Sequence, residues 1–163
     1  MSVAPFRVVS LDATQDRTLF KGGSGPLVRY FQQQVTQDIR RRVAACFIAL
    51  TNEQHISGFY TLAAASLLLS DLPAAVAKKI PRYPSVPAVR MGRLALDQEF
   101  KGLGLECALL ADALVRAARS EIAAFAMMVD ATDDAAVAFY RHNGFIALPE
   151  SAKTLFLPLS LVR

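Results

Sequence analysis

A chain of 163 residues, 53% hydrophobic and 20% charged, has the size and apolar content of one domain, residues 1–163, with one core. Its longest apolar run, Ala63 to Leu69, is interrupted by Ser66 and falls well short of the roughly 20 residues that cross a bilayer, and the amino terminus lacks the basic cap and apolar stretch of a signal peptide. A cytoplasmic protein without a membrane partner is expected, and the net charge of +4 favours polyanions without identifying one.

In chain order, Phe6 to Leu11 reads as an opening strand followed by the turn-rich 12–16 segment, and 21–26 is a loop. Leu27, Val28, Phe31 and Val35 recur at helical spacing. They predict a helix over about 26–38 with Arg29, Gln33 and Gln37 on its wet side, ending before the basic run Arg40-Arg41-Arg42. Val43–Thr51 and Ile56–Leu69 are strand-like runs separated by the polar turn 52–55, a hairpin pattern. Leu72 to Ile80 predicts a short amphipathic helix whose terminal Lys78 and Lys79 suit the helix dipole. Pro81, Pro84 and Pro87 then hold the chain extended as far as Val89.

Val89–Leu96 is a predicted strand, and Gly102–Gly104 lead into a helix of about 105–119. On that helix Leu105/Leu109 and Leu110/Leu114 mark the buried side, and Asp112, Arg116 and Arg119 a polar stripe. Ile122–Val129 is almost wholly apolar, as in a strand covered on both faces. Thr132 is the expected cap of the next helix, with Asp133 and Asp134 in its first turn and Asn143-Gly144 at its end. Phe145–Leu148 and Thr154–Leu159 complete an α/β sandwich on a mixed sheet.

The two cysteines, Cys46 and Cys107, form no CxxC, and His55 and His142 stand alone, so no metal site and no Ser-His-Asp hydrolase is expected. Chemistry concentrates where the strand ending at Leu96 delivers the chain to Lys101-Gly102-Leu103-Gly104-Leu105. Glycines that open a helix let backbone N–H groups point at an anion such as a pyrophosphate, although strand, glycines and helix also make a tight structural turn.

Three segments taken together, Met91–Asp97, the 101–105 loop and Ala136–Phe145, resemble the GNAT N-acetyltransferases. The resemblance implies a GNAT-type mixed, mostly antiparallel sheet flanked by helices. It also implies an acetyl-CoA site in which the backbone of Leu94, Ala95 and Leu96 pairs with the pantetheine arm while Lys101, Gly102, Leu103, Gly104 and Leu105 hold the pyrophosphate. The family loop reads Gln or Arg, two residues, Gly, one residue, then Gly or Ala. Here the last position is Glu106, either a carboxylate that repels the pyrophosphate or a first-turn Glu turned to water. Tyr140 matches the family tyrosine that protonates the departing thiolate, a task for which a phenol is ready at neutral pH. Asp97, Glu99, Asp130 and Asp133 are candidates for a base, which an amine of low pKa would not need.

Pro81–Pro84, Pro87–Ala95, Phe20, Leu27, Tyr30 and the basic residues 40–42 narrow the likeness to the GNAT toxins of bacterial toxin–antitoxin modules. Those acetylate the α-amine of aminoacyl-tRNA and are neutralised by a ribbon-helix-helix antitoxin. The charges of Arg40, Arg41, Arg42, Lys78, Lys79, Arg82, Arg90 and Arg93 are compatible with a groove that meets tRNA phosphates, Lys78, Lys79, Arg82, Arg90 and Arg93 being the expected contacts, and equally with solvated surface; a homodimer is compatible with the likeness. Two other readings stay open: a GNAT enzyme for a small amine or a protein amino terminus, and a non-catalytic GNAT module disabled by Glu106.

Overall fold

A computed structural model describes residues 6–162, so the terminal stretch before Phe6, read as lacking a leader, lies outside the described residues. Seven strands form one sheet in the order β1-β2-β3-β4-β5-β7-β6. They are β1 (Phe6–Ser10), β2 (Ala45–Thr51), β3 (Ile56–Leu68), β4 (Ser85–Leu96), β5 (Ala126–Asp130), β6 (Ile146–Leu148) and β7 (Ser151–Pro158). The β1/β2, β2/β3, β5/β7 and β6/β7 pairs are antiparallel and β4/β5 is parallel. The mixed, mostly antiparallel sheet implied by the resemblance is therefore present. No helix among the described residues is long and apolar enough to cross a membrane.

The chain divides into two compact units, one made of the residues up to Ala63 with Gly92–Ala113 and the other of Ala64–Met91 with the residues from Leu114 onward. In the first, helix α1 (Gly25–Arg29) runs through a π-helical stretch, Tyr30–Gln34, into α2 (Val35–Arg40). The Ser24 hydroxyl accepts the Leu27 N–H and so caps α1, and Pro26 sits in the first turn where no N–H is needed. This helical run buries Tyr30, Phe31 and Val35 against Ile48, Leu50, Phe59 and Ala95 of the strands. Phe31 and Phe59 stack with centroids 4.2 Å apart, and Phe20 meets both rings, at 4.9 and 5.5 Å. Each such pair adds about 0.5–1.5 kcal/mol to the gain from burial.

In the second unit, α3 (Ala74–Ala77) flanks a core of Leu67, Leu72, Val86, Ala88, Ala126, Met128 and Phe156. Helix α3 is shorter than the predicted Leu72–Ile80, because Pro73 occupies its amino-terminal cap and Lys78 already caps its end. Strand β4 begins at Ser85 rather than Val89. Pro87, which has no N–H to give, is exposed and accepts the Phe125 N–H through its carbonyl. Strand β5 begins at Ala126, not Ile122, and Ile122 is 83% exposed. Helix α5 (Asp134–His142) is capped by Asp133, whose carboxylate accepts the Ala136 N–H at 2.8 Å, rather than by Thr132.

Candidate functional site

In the first unit the predicted cofactor segment lies at the end of β4. The parallel register with β5 covers Ala88 to Met91 and stops before Gly92–Leu96, the residues expected to pair with a pantetheine arm. Ala95 and Leu96 are buried, and Arg93 and Leu94 are half-buried. Beyond Leu96 the chain is fastened by Asp97, a buried carboxylate that accepts N–H groups from Lys21 and Glu99, each at 3.0 Å. The Asp97 N–H in turn donates to Ser57 O at 2.8 Å, and Gln98 N–H to Lys21 O at 2.7 Å. Asp97 is thus a structural latch and not a free base.

A short 3-10 turn, Gln98–Phe100, leads to the glycine loop. Gly102 and Gly104 both adopt left-handed backbone, φ +78° and +79°, and a β-carbon on either would meet nothing within 4 Å. These glycines therefore serve backbone conformation next to open space, as a loop presenting N–H groups to a ligand requires. Helix α4 (Leu105–Ala118) follows, with Leu105, Leu109, Leu110, Ala113 and Ala117 buried and Glu106 and Cys107 exposed. Lys101 is exposed, and so is Leu103 at 42%. The open space beside the two glycines leaves room for an anion such as a pyrophosphate, while Glu106 puts a solvated carboxylate in the first helical turn. Asp112, expected on the wet stripe of α4, instead accepts the buried Tyr60 hydroxyl at 2.5 Å.

Two residues in this unit carry more than the sequence reading gave them. Tyr30, buried in the π-helical stretch, donates its hydroxyl to Asp38 at 2.8 Å, and the Arg93 guanidinium lies 3.5 Å from the centroid of its ring. Burial first, and the Asp38 carboxylate second, push the Tyr30 phenol well above the usual tyrosine range, so it stays protonated. The pair joins positions 63 apart in the chain, which no local periodicity reports. Gly22 is the other: its backbone lies directly against the Leu96 carbonyl.

In the second unit Tyr140 is buried on α5, its ring 5.2 Å from Phe139 and 5.4 Å from Phe145 by centroids. The α5 terminus closes through N–H groups of Asn143 and Phe145 donating to the Tyr140 carbonyl, with Gly144 at φ +94°. Arg90, predicted as a tRNA contact, is ion-paired with Asp130, which also accepts the Thr154 hydroxyl at 2.9 Å. Lys78, Lys79 and Arg82 are exposed on the segment after α3, beside the exposed Tyr83. Of the four carboxylates considered as a base, Asp97, Asp130 and Asp133 thus have structural bonds, and Glu99 is exposed.

Residues 74–155 match the acetyltransferase (GNAT) domain, and the chain belongs to the GNAT acetyltransferases, whose acetyl donor is acetyl-CoA. Within that family it is 33% identical, over 94% of its length and 90% of the relative's, to the tRNA-acetylating toxin of Mycobacterium tuberculosis (strain ATCC 25618 / H37Rv). Among solved structures it is similar to AtaT complexed with acetyl-methionyl-tRNAfMet, at 30% identity and TM-score 0.87 over 96% of both chains. It is also similar to AtaTR bound with AcCoA, at 26% identity and TM-score 0.82, covering 96% of this chain and 95% of that one.

Proposed function

We propose that this chain is a toxin that moves an acetyl group from acetyl-CoA to the α-amine of aminoacyl-tRNA and so blocks translation. The observation that carries the reading is the likeness, over nearly the whole chain, to a tRNA-acetylating toxin. The carboxylates add support: with Asp97, Asp130 and Asp133 tied to structural partners, the chain suits an amine that needs little help to lose its proton. The α-amine of an esterified amino acid is such a group, because the ester withdraws electrons.

Acetyl-CoA, when bound, supplies an activated thioester. Leu94, Ala95 and Leu96 offer it main-chain groups on a stretch of β4 beyond the β5 register, and Lys101, Gly102, Leu103, Gly104 and Leu105 cradle the pyrophosphate. Glu106 tempers that cradle. Tyr140 gives its phenolic proton to the leaving sulfur, and its burial between Phe139 and Phe145 fixes where the hydroxyl is held. Lys78, Lys79 and Arg82 meet phosphates as exposed cations, while Arg90 contributes less because Asp130 already neutralises it. The reading takes residues 1–163 as one cytoplasmic acetyltransferase domain, able to form a homodimer and held in check by a ribbon-helix-helix antitoxin.

The test is incubation with labelled acetyl-CoA and a mixture of charged tRNAs. Label should appear on aminoacyl-tRNA and fall steeply with added salt. Label on free amino acids or peptides alone, with none on charged tRNA, sinks the reading.

A further inference from the structure

The cations expected to meet tRNA are not equivalent. Among the described residues Arg90 is in an ion pair, Lys78, Lys79 and Arg82 are exposed, and Arg93 alone among them lies on an aromatic face. Arg93 stands immediately before the Leu94–Leu96 stretch and, by strand alternation, on the same side of β4 as Ala95. Ala95 packs in the cluster that contains Tyr30 and Phe31, so this is the side covered by the α1–α2 helical run. Leu96 is on the other side, where it shares the space over Gly58 with Leu109 of α4. The glycine loop opens α4, so a cofactor held by that loop belongs to α4's side. An acceptor reaching β4 from the opposite side meets Arg93.

A guanidinium whose plane is already fixed loses less side-chain freedom when its fork meets a phosphate. Here the Tyr30 ring fixes that plane at 3.5 Å, and Asp38, accepting a 2.8 Å hydrogen bond from the Tyr30 hydroxyl, fixes the ring and enriches its π face. The π-helical stretch makes this arrangement: its wider turn starts at Tyr30, and α2 then carries Asp38 back to the hydroxyl. A cation–π contact leaves the guanidinium N–H groups free for an anion, unlike the Arg90–Asp130 pair, which uses them.

Building on the proposed function, we infer that Tyr30 and Asp38 are positioning residues that hold Arg93 as the phosphate reader for the acceptor end of the tRNA, on the face of β4 opposite the cofactor loop. A neutral tyrosine then controls an ionic contact. Such a role differs from simple core packing in what it does to salt dependence.

The experiment measures KM for charged tRNA against salt concentration for the full chain and its variants, with acetyl-CoA affinity and thermal melting alongside. Arg93→Gln should raise KM for tRNA about tenfold and make the log–log salt slope shallower by about one, as for one lost phosphate contact. Tyr30→Leu should produce the same change in slope although it removes no charge, and Tyr30→Phe, which keeps the ring but loses the bond to Asp38, should fall between Tyr30→Leu and the parent. Arg93→Lys, at a half-buried position, keeps the charge but loses the planar stack, and should still raise KM several-fold. Acetyl-CoA affinity should hold throughout. If Tyr30→Leu melts below the assay temperature, Arg93→Lys carries the test.

A parental slope in Tyr30→Leu, or a parental KM in Arg93→Lys, overturns the inference while leaving tRNA acetylation standing. A parent chain that acetylates only small amines, with no response to salt, overturns both.

Discussion

Gly22 lies so close beneath Leu96 that a β-carbon on it would stand 1.7 Å from the Leu96 carbonyl oxygen and 2.6 Å from its carbon. Backbone cannot yield as the tip of a side chain can. Gly22→Ala should therefore push the loop at residues 21–23 off the end of β4 and strain the Lys21–Asp97 latch. The expected loss is about 1–3 kcal/mol of stability, typical of overpacking, together with weaker acetyl-CoA binding as Leu96 shifts. Denaturant unfolding and calorimetric titration check both, and a variant with parental stability would show that the loop slides away freely.

Glu106 is exposed in the first turn of α4, next to the loop whose glycines face open space. Its charge suits the helix dipole but opposes a pyrophosphate, and exposure lets solvent and salt screen that opposition. Glu106→Gly should tighten acetyl-CoA binding by about fivefold at low ionic strength, and the gain should vanish at high salt. Titration calorimetry at two salt concentrations reads this directly. No gain at low salt would show that the carboxylate points away from the ligand.

Tyr140 is buried with its ring against Phe139 and Phe145, contacts that a phenylalanine at this position keeps. Tyr140→Phe should keep acetyl-CoA affinity and a parental melting temperature to within a few degrees, while turnover drops by about a hundredfold or more, as for loss of a general acid. Single-turnover acetylation beside equilibrium binding separates the two effects. Unchanged turnover would remove Tyr140 from the mechanism.

Much of this was legible in local patterns. The leucine spacing gave α4 within a residue or so, the 52–55 turn marked the β2/β3 hairpin, and Asn143-Gly144 marked the end of α5. Errors arose where one local signal stood in for tertiary context. Ile122 is apolar enough for a strand yet lies outside β5, and Thr132 is a good cap but loses to its neighbour Asp133. The candidate site is proposed from a loop and a tyrosine, because glycines and a motif are contiguous in the chain. Its supports are not: Gly22 on Leu96, Lys21 on Asp97 and Tyr30 under Arg93 are contacts across more than 60 residues. Only the fold brings them together.

The two cysteines should behave differently. Cys46 is buried, and that burial pushes its thiol up to about 12, whereas Cys107 is exposed beside the glycine loop. Alkylation of the native chain near pH 8 should modify Cys107 alone, with Cys46 reacting only after unfolding. Acetyl-CoA at saturation should slow the Cys107 reaction if the loop holds the pyrophosphate. Mass spectrometry of the labelled peptides reads each site, and equal labelling with and without acetyl-CoA would argue against the loop as its seat.

Charge reversal should sort the cations proposed to meet tRNA. Arg90 is paired with Asp130, which also holds Thr154, so removing its charge mainly frees a carboxylate on the sheet. Lys78, Lys79 and Arg82 are exposed, with no ion pair among the described residues, and their full charge is available to phosphates. Replacing these three by Glu should raise KM for charged tRNA by more than about a hundredfold at moderate salt, since each lost phosphate contact flattens the salt slope by about one and the new charges repel. Arg90→Gln should raise KM by no more than about threefold, because an exposed ion pair already screens that charge. A steeper loss in Arg90→Gln than in the triple variant would mean that the tRNA breaks the Arg90–Asp130 pair and takes the guanidinium for itself. Repeating the measurement in Asp130→Asn would then decide between the two, since freeing Arg90 should tighten tRNA binding only if the guanidinium can reach a phosphate.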